Sequence, residues 1–287
     1  MPKVLFVINS KAGKNAPNWE EIISNYFTEK PVEPVFILLK ENVEPGDIKK
    51  KIDDFDGKTV VAVGGDGTVN MVAVMLHSTG KSLGILPAGS ANGMAKELNI
   101  PIDPQKALSI VENGSPRWCD AILINNKDVC LHLSDIGLNA QLVKYFDEGK
   151  LRGQWGYARM ILKALWYKQK IFINLQSGST HMKREAFMVV LANASKYGTG
   201  AVINPTGSIN DGEFEVVVVR KLAFSELLKM LFRPQPFNPK KIEVIKATGI
   251  NIHSRHRAHF QVDGEYKGKI KTLRASILHR YISIILP

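Results

Sequence analysis

The stretch Gly64-Gly65-Asp66-Gly67-Thr68 lies between two segments whose hydrophobic patterns differ. Residues 59–63 before it form an almost continuous apolar run, which is typical of a strand buried on both faces. The residues after it follow the spacing i, i+3, i+4, i+7 of an amphipathic helix, namely Val69, Val72, Ala73 and Leu76. A strand, a glycine turn and a helix in this order predict one unit of a parallel α/β sheet.

Two further loops in the first half of the chain follow apolar strands in the same way. Residues 9–15 follow Val4–Ile8, and residues 87–93 follow Leu83–Leu86. The carboxyl ends of parallel strands share one edge of the sheet, where ligands bind in open α/β folds. Glycines let a ligand approach the backbone, and the helix after Thr68 points free N–H groups into the same space. We therefore expect a phosphate-binding site at this edge.

Asp66 is the acidic residue of the central loop and has two interpretations. A carboxylate beside phosphates is repulsive unless Mg²⁺ lies between them, so Asp66 is a candidate for positioning nucleotide and metal. The alternative is a tight turn in which Asp66 caps a helix. The standard P-loop pattern is absent, and so is Gly-x-Gly-x-x-Gly directly after a strand. These absences argue against an ordinary P-loop NTPase and a dinucleotide dehydrogenase.

The pattern changes near Trp118 from alternating strands and helices to short strands separated by turn residues. Such strands predict an antiparallel β domain. We expect a nucleotide-binding α/β domain over residues 1–120, with residues 276–287 as a candidate addition, and a β-rich substrate domain over residues 121–275. Helices in the second domain are expected over residues 138–146, 156–167 and 225–232.

Charge is distributed unevenly between these two parts. The 287 residues carry a net charge of +11, of which residues 1–120 contribute −2 and residues 121–287 contribute +13. A basic surface favours an anionic partner, such as a phosphorylated ligand, an anionic bilayer or nucleic acid. The alternative is that the excess positive charge only keeps the protein soluble.

Composition argues against a membrane-spanning or disulfide-rich protein. Hydrophobic residues make up 45% and charged residues 23%, and no apolar run approaches the ~18 residues of a membrane-spanning helix. Cys119 and Cys130 are too few for a disulfide framework, and we expect both to be reduced. The opening residues lack a secretory signal pattern, so the sequence predicts a cytoplasmic protein.

Two motifs in fixed order resemble the diacylglycerol kinase catalytic domain family, which includes bacterial lipid kinases and sphingosine kinases. Residues 64–70, Gly-Gly-Asp-Gly-Thr-Val-Asn, are followed 13 residues later by residues 83–92, Leu-Gly-Ile-Leu-Pro-Ala-Gly-Ser-Ala-Asn. Shorter matches follow at residues 197–200, 210–216 and 262–265. The resemblance covers the whole chain. It implies an α/β domain similar to NAD kinases and phosphofructokinases, followed by an antiparallel β-sandwich.

The resemblance also implies an ATP-dependent lipid kinase that acts on diacylglycerol, another glycerolipid or a sphingoid base. The positions that would bind ATP are Asn9, Ser10, Lys11, Gly64, Gly65, Asp66, Gly67, Thr68, Val69, Asn70, Gly89 and Ser90. Two positions depart from the family pattern, because Ser10 replaces the usual proline and Gly93 replaces a common aspartate.

Asp263 and Glu265 are the candidates for activating the acceptor hydroxyl. Phosphoryl transfer needs a group that accepts the hydroxyl proton. The resemblance implies that Glu265 is the family's active-site carboxylate and that Asp263 assists it, with Asp66 as the third catalytic candidate. From the residues alone, a plain hairpin turn at Asp263-Gly264 is the favoured interpretation.

The segment Ser208–Glu213 resembles the family's accessory Mg²⁺ loop. In that loop one aspartate side chain and two backbone carbonyls bind the ion, and the matching positions are Asp211 and the carbonyls of Ser208 and Glu213. Hard oxygen ligands and a glycine turn suit Mg²⁺ or Ca²⁺. A metal-free type I turn is the alternative.

Residues 150–170 combine cations with aromatic residues that prefer membrane interfaces. Basic residues attract anionic phospholipid, and Trp and Tyr settle at the headgroup level. We expect peripheral contact with the inner face of the membrane, where the lipid substrate lies; a helix packed on the β domain is the alternative. Edge strands could support a homodimer. The absence of an RNA-recognition motif argues against a nucleic-acid partner.

Two other functions stay open at this point. One is a kinase of the same superfamily that acts on NAD or another soluble metabolite. The other is a catalytically inactive protein that binds nucleotide together with lipid or nucleic acid. The departures from the family pattern at Ser10 and Gly93 keep this alternative open.

Overall fold

The structure is a computed structural model that describes residues 1–9, 17–39, 43–147, 169–195, 203–204, 207–221, 238 and 240–287. Ser10, Lys11, residues 150–168 and the predicted helix over residues 225–232 lie outside the described residues. The chain divides into two compact units. Unit 1 contains Met1–Cys119 and Arg280–Pro287, and unit 2 contains Asp120–His279.

Unit 1 is built on a parallel sheet. Its strands lie in the order β2-β1-β3-β4, with bounds β1 (Lys3–Asn9), β2 (Glu33–Leu39), β3 (Thr59–Gly64) and β4 (Ser82–Pro87). The end of the chain adds a further parallel strand, because Ser283 pairs with Ser82 of β4. β3 is buried at every position after Thr59, as its apolar run predicts.

The helices in the described part of unit 1 are α1 (Trp19–Phe27), α2 (Pro45–Asp54), α3 (Asp66–Leu76), α4 (Gly93–Glu97) and α5 (Pro104–Asn113). Local sequence explains where α5 begins. The Asp103 side chain accepts a hydrogen bond from Lys106 N at 2.9 Å, and Pro104 occupies a first-turn position that needs no N–H donor.

Unit 2 is an antiparallel β unit with helix α6 (Leu138–Asp147). The chain enters it within β5 (Ser115–Ile124) and leaves it within β14 (Glu265–Leu286). The strands between them are β6 (Asp128–Cys130), β7 (Leu133–Gly137), β8 (Ile171–Ser177), β9 (Thr180–Ala186), β10 (Met188–Ala192), β11 (Phe214–Val219), β12 (Ile242–Ala247) and β13 (Gly249–Val262). The central order is β12-β11-β10-β7-β13-β14, with β8 on β13 and β9 on β8.

Two differences from the strand pattern in the sequence have physical causes. The apolar run over residues 129–133 is divided between β6 and β7. The amides of Leu131 and His132 between them donate hydrogen bonds to the side chain of Asp263. The apolar runs over residues 250–252 and 258–262 belong to one strand, β13, whose pairing with β14 is interrupted by a bulge.

The predicted fold class is confirmed: an α/β unit with parallel strands precedes an antiparallel β unit. Within the described ranges, no helix combines the length and apolar character needed to cross a bilayer.

Candidate active site

Three strands of unit 1 end side by side. β3 pairs in parallel with both β1 and β4, and Gly64 lies opposite Pro87 at the carboxyl edge. Asn9 at the end of β1 donates a hydrogen bond from Nδ2 to Thr68 Oγ1 at 3.1 Å. This contact ties the first loop to the second, as expected if both serve one ligand.

The second and third loops meet backbone to backbone at Gly65 and Gly89. A Cβ atom on Gly89 would lie 2.4 Å from Gly65 Cα and 2.9 Å from Asn92 Oδ1. Asn92 closes the third loop, since its Oδ1 accepts from Gly89 N at 2.9 Å and its Nδ2 donates to Gly89 O at 2.8 Å. The close approach of the two loops therefore requires glycine at position 89.

Asp66 joins the second loop to helix α4. Its Oδ2 accepts a hydrogen bond from Gly93 N at 2.9 Å, and its Oδ1 accepts one from Met94 N at 3.0 Å. These amides open α4, so the carboxylate satisfies donors that the helix itself leaves unpaired. Asp66 thus caps the helix of the third loop, and its role toward Mg²⁺ stays a prediction.

The first turn of α3 faces the same edge. Gly65 is its N-cap residue, and the Gly65 carbonyl accepts from Thr68 N at 3.0 Å and Val69 N at 3.1 Å. The amides at the start of a helix lack intrahelical partners and favour an anion. Gly67 and Ser90 are exposed here, whereas the Val69 side chain is buried in the core. The turn therefore offers mainly backbone contacts to a phosphate.

In unit 2, Asp263 and Gly264 form the turn between β13 and β14. Their φ angles are +48° and +86°, and Val262 pairs with Glu265 across the hairpin. Positive φ at both turn residues is the conformation that Asp-Gly adopts readily. The backbone therefore forms the hairpin turn that the residues Asp263 and Gly264 predict.

The Asp263 carboxylate is anchored by the segment between β6 and β7. Its Oδ1 accepts from His132 N at 2.9 Å and Leu133 N at 3.1 Å, and its Oδ2 accepts from Leu131 N at 2.9 Å. The Cys130 thiol donates to Oδ1 at 3.2 Å. Burial, and then the charge of Asp263, raise the pKa of Cys130 well above its ordinary value, so the thiol stays protonated and remains a donor.

Glu265 follows the anchored turn and is accessible. Its carboxylate pairs with Lys267 Nζ at 2.9 Å, and 58% of the side chain is exposed. Lys267 also lies 3.8 Å from Asp128 Oδ1. The two carboxylates differ in their surroundings, because Asp263 is bonded into the unit while Glu265 is accessible to solvent. Asp263 therefore fixes the turn that precedes Glu265, and the catalytic roles expected for both residues stay predictions.

Asp135 is a buried acid that the sequence patterns did not single out. Its Oδ1 accepts from Ala140 N at 2.8 Å, and its Oδ2 accepts from Asn139 Nδ2 at 2.6 Å and Gln261 Nε2 at 2.5 Å. Gln261 Oε1 accepts in turn from Gly264 N at 2.7 Å. This chain of hydrogen bonds connects the start of α6 to the turn before Glu265. The available signal was an aspartate in a short segment between Leu133 and Ile136.

Burial raises the pKa of Asp135 to about 6, against hydrogen bonds that lower it. Because this pKa exceeds the value of about 3.9 in an unfolded chain, the contribution of Asp135 to stability is greatest below about pH 4. This contribution to stability falls by ~3 kcal/mol as the pH rises to about 6, because the folded and unfolded pKa values differ by about two. Urea unfolding is expected to show the stability of the wild type falling relative to Asp135→Asn between pH 4 and 6. A constant difference would contradict the assignment.

The predicted accessory metal loop is a turn before β11. Gly212 has φ +78°, and its N–H donates to Oδ2 of the buried Asp120 at 2.7 Å. Glu213 N donates to Asp211 Oδ1 at 3.2 Å. The Ser208 hydroxyl donates to Asn210 Oδ1 at 2.7 Å. The turn is therefore held by two hydrogen bonds within it and by one to Asp120.

A lysine lies beside the carboxylates of this loop, and the metal role of the loop stays a prediction. The described part of the chain contains no group of three or more His, Cys, Asp or Glu side chains placed to hold a metal, but the predicted site would use one carboxylate and two backbone carbonyls. Lys246 Nζ lies 3.3 Å from Glu213 Oε2 and 3.8 Å from Asp211 Oδ2. A protein cation already occupies the space beside these carboxylates.

Loops that suit a phosphate chain, and an accessible carboxylate that suits a hydroxyl proton, are what a kinase acting on an alcohol needs. Comparison with known proteins identifies the kinase family to which the chain belongs. A diacylglycerol kinase catalytic domain matches residues 3–124, and a YegS C-terminal NAD kinase beta sandwich-like domain matches residues 134–286. The chain belongs to the lipid kinase family built from these two domains, which confirms the resemblance seen in the motifs.

Individual relatives are similar over almost their whole length. The probable lipid kinases YegS of Salmonella dublin and Salmonella typhimurium are each 28% identical over 277 residues, covering 92% of this chain and 89% of theirs. A solved diacylglycerol kinase structure from Bacillus anthracis str. Sterne has a TM-score of 0.72 at 19% identity, covering 99% of this chain and 97% of that chain. The structural likeness supports the fold, and the family supports kinase activity.

Proposed function

We propose that this lipid kinase transfers the γ-phosphate of ATP to the hydroxyl of diacylglycerol or another glycerolipid, with a sphingoid base as the alternative acceptor. The observation that carries the proposal is the anchored turn of unit 2. Three backbone amides hold Asp263, and the next strand begins with the accessible Glu265. The name of the family domain and the solved diacylglycerol kinases of the same fold support a glycerolipid acceptor.

Each part of the chain has a defined task in this proposal. The loops of unit 1 bind the phosphates of the substrate MgATP through backbone amides, and Asp66 holds the third loop in place. Glu265 accepts the proton of the lipid hydroxyl as its oxygen attacks the γ-phosphorus, and ADP leaves with the bridging oxygen. A placed general base contributes about 10²–10⁴-fold in rate.

The test uses purified protein, labelled ATP and vesicles that contain diacylglycerol, a second glycerolipid or a sphingoid base. Soluble acceptors, including NAD, form a parallel arm without vesicles. We expect label in an extractable lipid and a strong reduction with Asp66→Ala. Label confined to a soluble acceptor would assign the activity to an NAD kinase-like enzyme. ATP binding without any transfer would identify an inactive binding protein.

Gly89→Ala is expected to weaken ATP binding by more than about 10-fold, because the new Cβ atom would push the third loop away from Gly65. Nucleotide titration measures the affinity. Gly46→Ala is the matched control, since a Cβ atom there meets nothing within 4 Å. Equal affinities of the two variants would show that the contact between the loops does not serve the nucleotide.

We also propose that unit 2 contacts anionic phospholipid at the membrane surface. A cavity of about 670 Å³ is lined by the cationic side chains of Lys170, Arg257 and Lys269. Ser254 also lines this cavity, and its buried hydroxyl has no hydrogen-bond partner among the described residues. Flotation with anionic and zwitterionic vesicles tests this. We expect binding to the anionic vesicles alone, reduced in Lys269→Met; equal binding of both vesicles would refute it.

A further inference from the structure

Lys246 lies beside Asp211, the side chain that the accessory loop would offer to a cation. It is on β12, directly opposite Glu215 of β11. Its Nζ lies 3.3 Å from Glu213 Oε2, 3.8 Å from Asp211 Oδ2 and 3.9 Å from Glu215 Oε1. Asp211 and Glu213 belong to the turn before β11, and Glu215 belongs to β11 itself. One ammonium group therefore faces all three carboxylates.

Glu215 shows why a cation is needed at this place. Its side chain is 2% exposed. Its Oε2 accepts a hydrogen bond from Asn204 Nδ2 at 2.5 Å, whereas its Oε1 has no hydrogen-bond partner within the described residues. A buried carboxylate is poorly solvated, which costs free energy unless an opposite charge lies nearby. The nearby charge of Lys246 offsets this loss of solvation.

Lys246 and a divalent ion would compete for the same carboxylates. Oxygen ligands lie about 2.0–2.1 Å from Mg²⁺ and about 2.3–2.6 Å from Ca²⁺. The carboxylate oxygens here converge on Lys246 at 3.3–3.9 Å, the separation of an ammonium ion pair. A divalent ion among the same carboxylates would lie beside the positive charge of Lys246, which lowers its affinity.

We propose that Lys246 replaces the accessory divalent cation of the Ser208–Glu213 loop. The loop then keeps its conformation without Mg²⁺ or Ca²⁺, and the Mg²⁺ used by the kinase enters with ATP. This inference concerns the folded chain itself, so it holds or fails independently of which lipid is phosphorylated.

The test measures ion binding and stability instead of activity. Full-length protein without nucleotide is titrated calorimetrically with Mg²⁺ and Ca²⁺, in parallel with Asp211→Asn. We expect the two proteins to give the same titration, because Asp211 holds no ion. The melting temperature of the wild type should change by less than about 1 °C between EDTA and millimolar Ca²⁺.

Lys246→Met keeps the length of the side chain and removes its charge. In EDTA its melting temperature is expected to fall by about 3 °C or more, and millimolar Ca²⁺ is expected to restore it. Adding Asp211→Asn should abolish the restoration. Lys183→Met on β9 is the control, because Lys183 forms no ion pair with the described residues; its melting temperature should not respond to Ca²⁺.

Two results would overturn the proposal. One is stoichiometric binding of a divalent ion by the wild type that Asp211→Asn removes. The other is a Lys246→Met protein whose melting temperature does not respond to Ca²⁺. If Lys246→Met folds only with Ca²⁺ present, the proposal is supported; if it does not fold at all, the wild-type and Asp211→Asn titrations decide.

Discussion

Glu265→Gln is expected to lower kcat by about 10²–10⁴-fold, the range that a positioned general base contributes. Glutamine has nearly the same shape but cannot accept the proton of the lipid hydroxyl. The side chain is 58% exposed, so the change removes one solvent-accessible ion pair with Lys267 and little stability. Because the loops proposed to bind ATP lie in unit 1, the KM for ATP should change much less than kcat. Initial rates at saturating lipid measure this difference.

A matched control separates the loss of a base from the loss of an ion pair. Asp56→Asn breaks the pair between Lys3 Nζ and Asp56 Oδ2, which is also 2.9 Å long and exposed. This variant should keep wild-type kcat. If Glu265→Gln retained kcat within about threefold of the wild type, Glu265 would not be the general base.

Asp263→Asn is expected to lower the free energy of unfolding by about 3 kcal/mol and to lower kcat as well. The carboxylate accepts from the amides of Leu131, His132 and Leu133, and an asparagine amide would direct its NH₂ group at one of these donors. Each buried donor left unpaired costs about 1–3 kcal/mol, and the charge that strengthens the remaining bonds is lost. Asparagine tolerates φ near +48°, so the turn itself is kept.

Asp263→Ala adds the cost of a positive φ angle to the loss of the carboxylate. Asn126→Ala places alanine at φ near +53° in another hairpin loop without such an anchor, and it measures the backbone cost alone. The difference between the two variants in urea unfolding isolates the contribution of the carboxylate. A difference near zero would mean that the amides of Leu131, His132 and Leu133 do not stabilise the turn.

A positioning role also predicts how the kinetics change. Asp263→Asn should lower kcat for lipid phosphorylation while leaving ATP affinity unchanged, because the turn carries Glu265 and the ATP loops lie in unit 1. Equal loss of ATP affinity and kcat would indicate general unfolding instead.

Local patterns were sufficient for the fold class. The buried run over residues 59–63 and the periodic helix after Thr68 identify a parallel unit. Strand burial and helix amphipathicity can both be detected within short stretches of sequence. The long strand β14 was not predicted, because its burial alternates irregularly over 22 residues and its pairing partners are distant in the chain. Pairing between distant segments leaves no local pattern to read.

The sequence by itself determined the glycine loops, the Asp-Gly turn and the kinase family, because these depend on residue types at fixed spacing. Only the tertiary structure decided that Asp66 caps α4, that Asp263 binds backbone amides and that Lys246 faces three carboxylates. Those partners lie 27 residues or more from Asp66, 130 or more from Asp263 and 31 or more from Lys246 in the chain. A carboxylate's role depends on the donors and cations that folding brings to it, and these are set by packing and strand register.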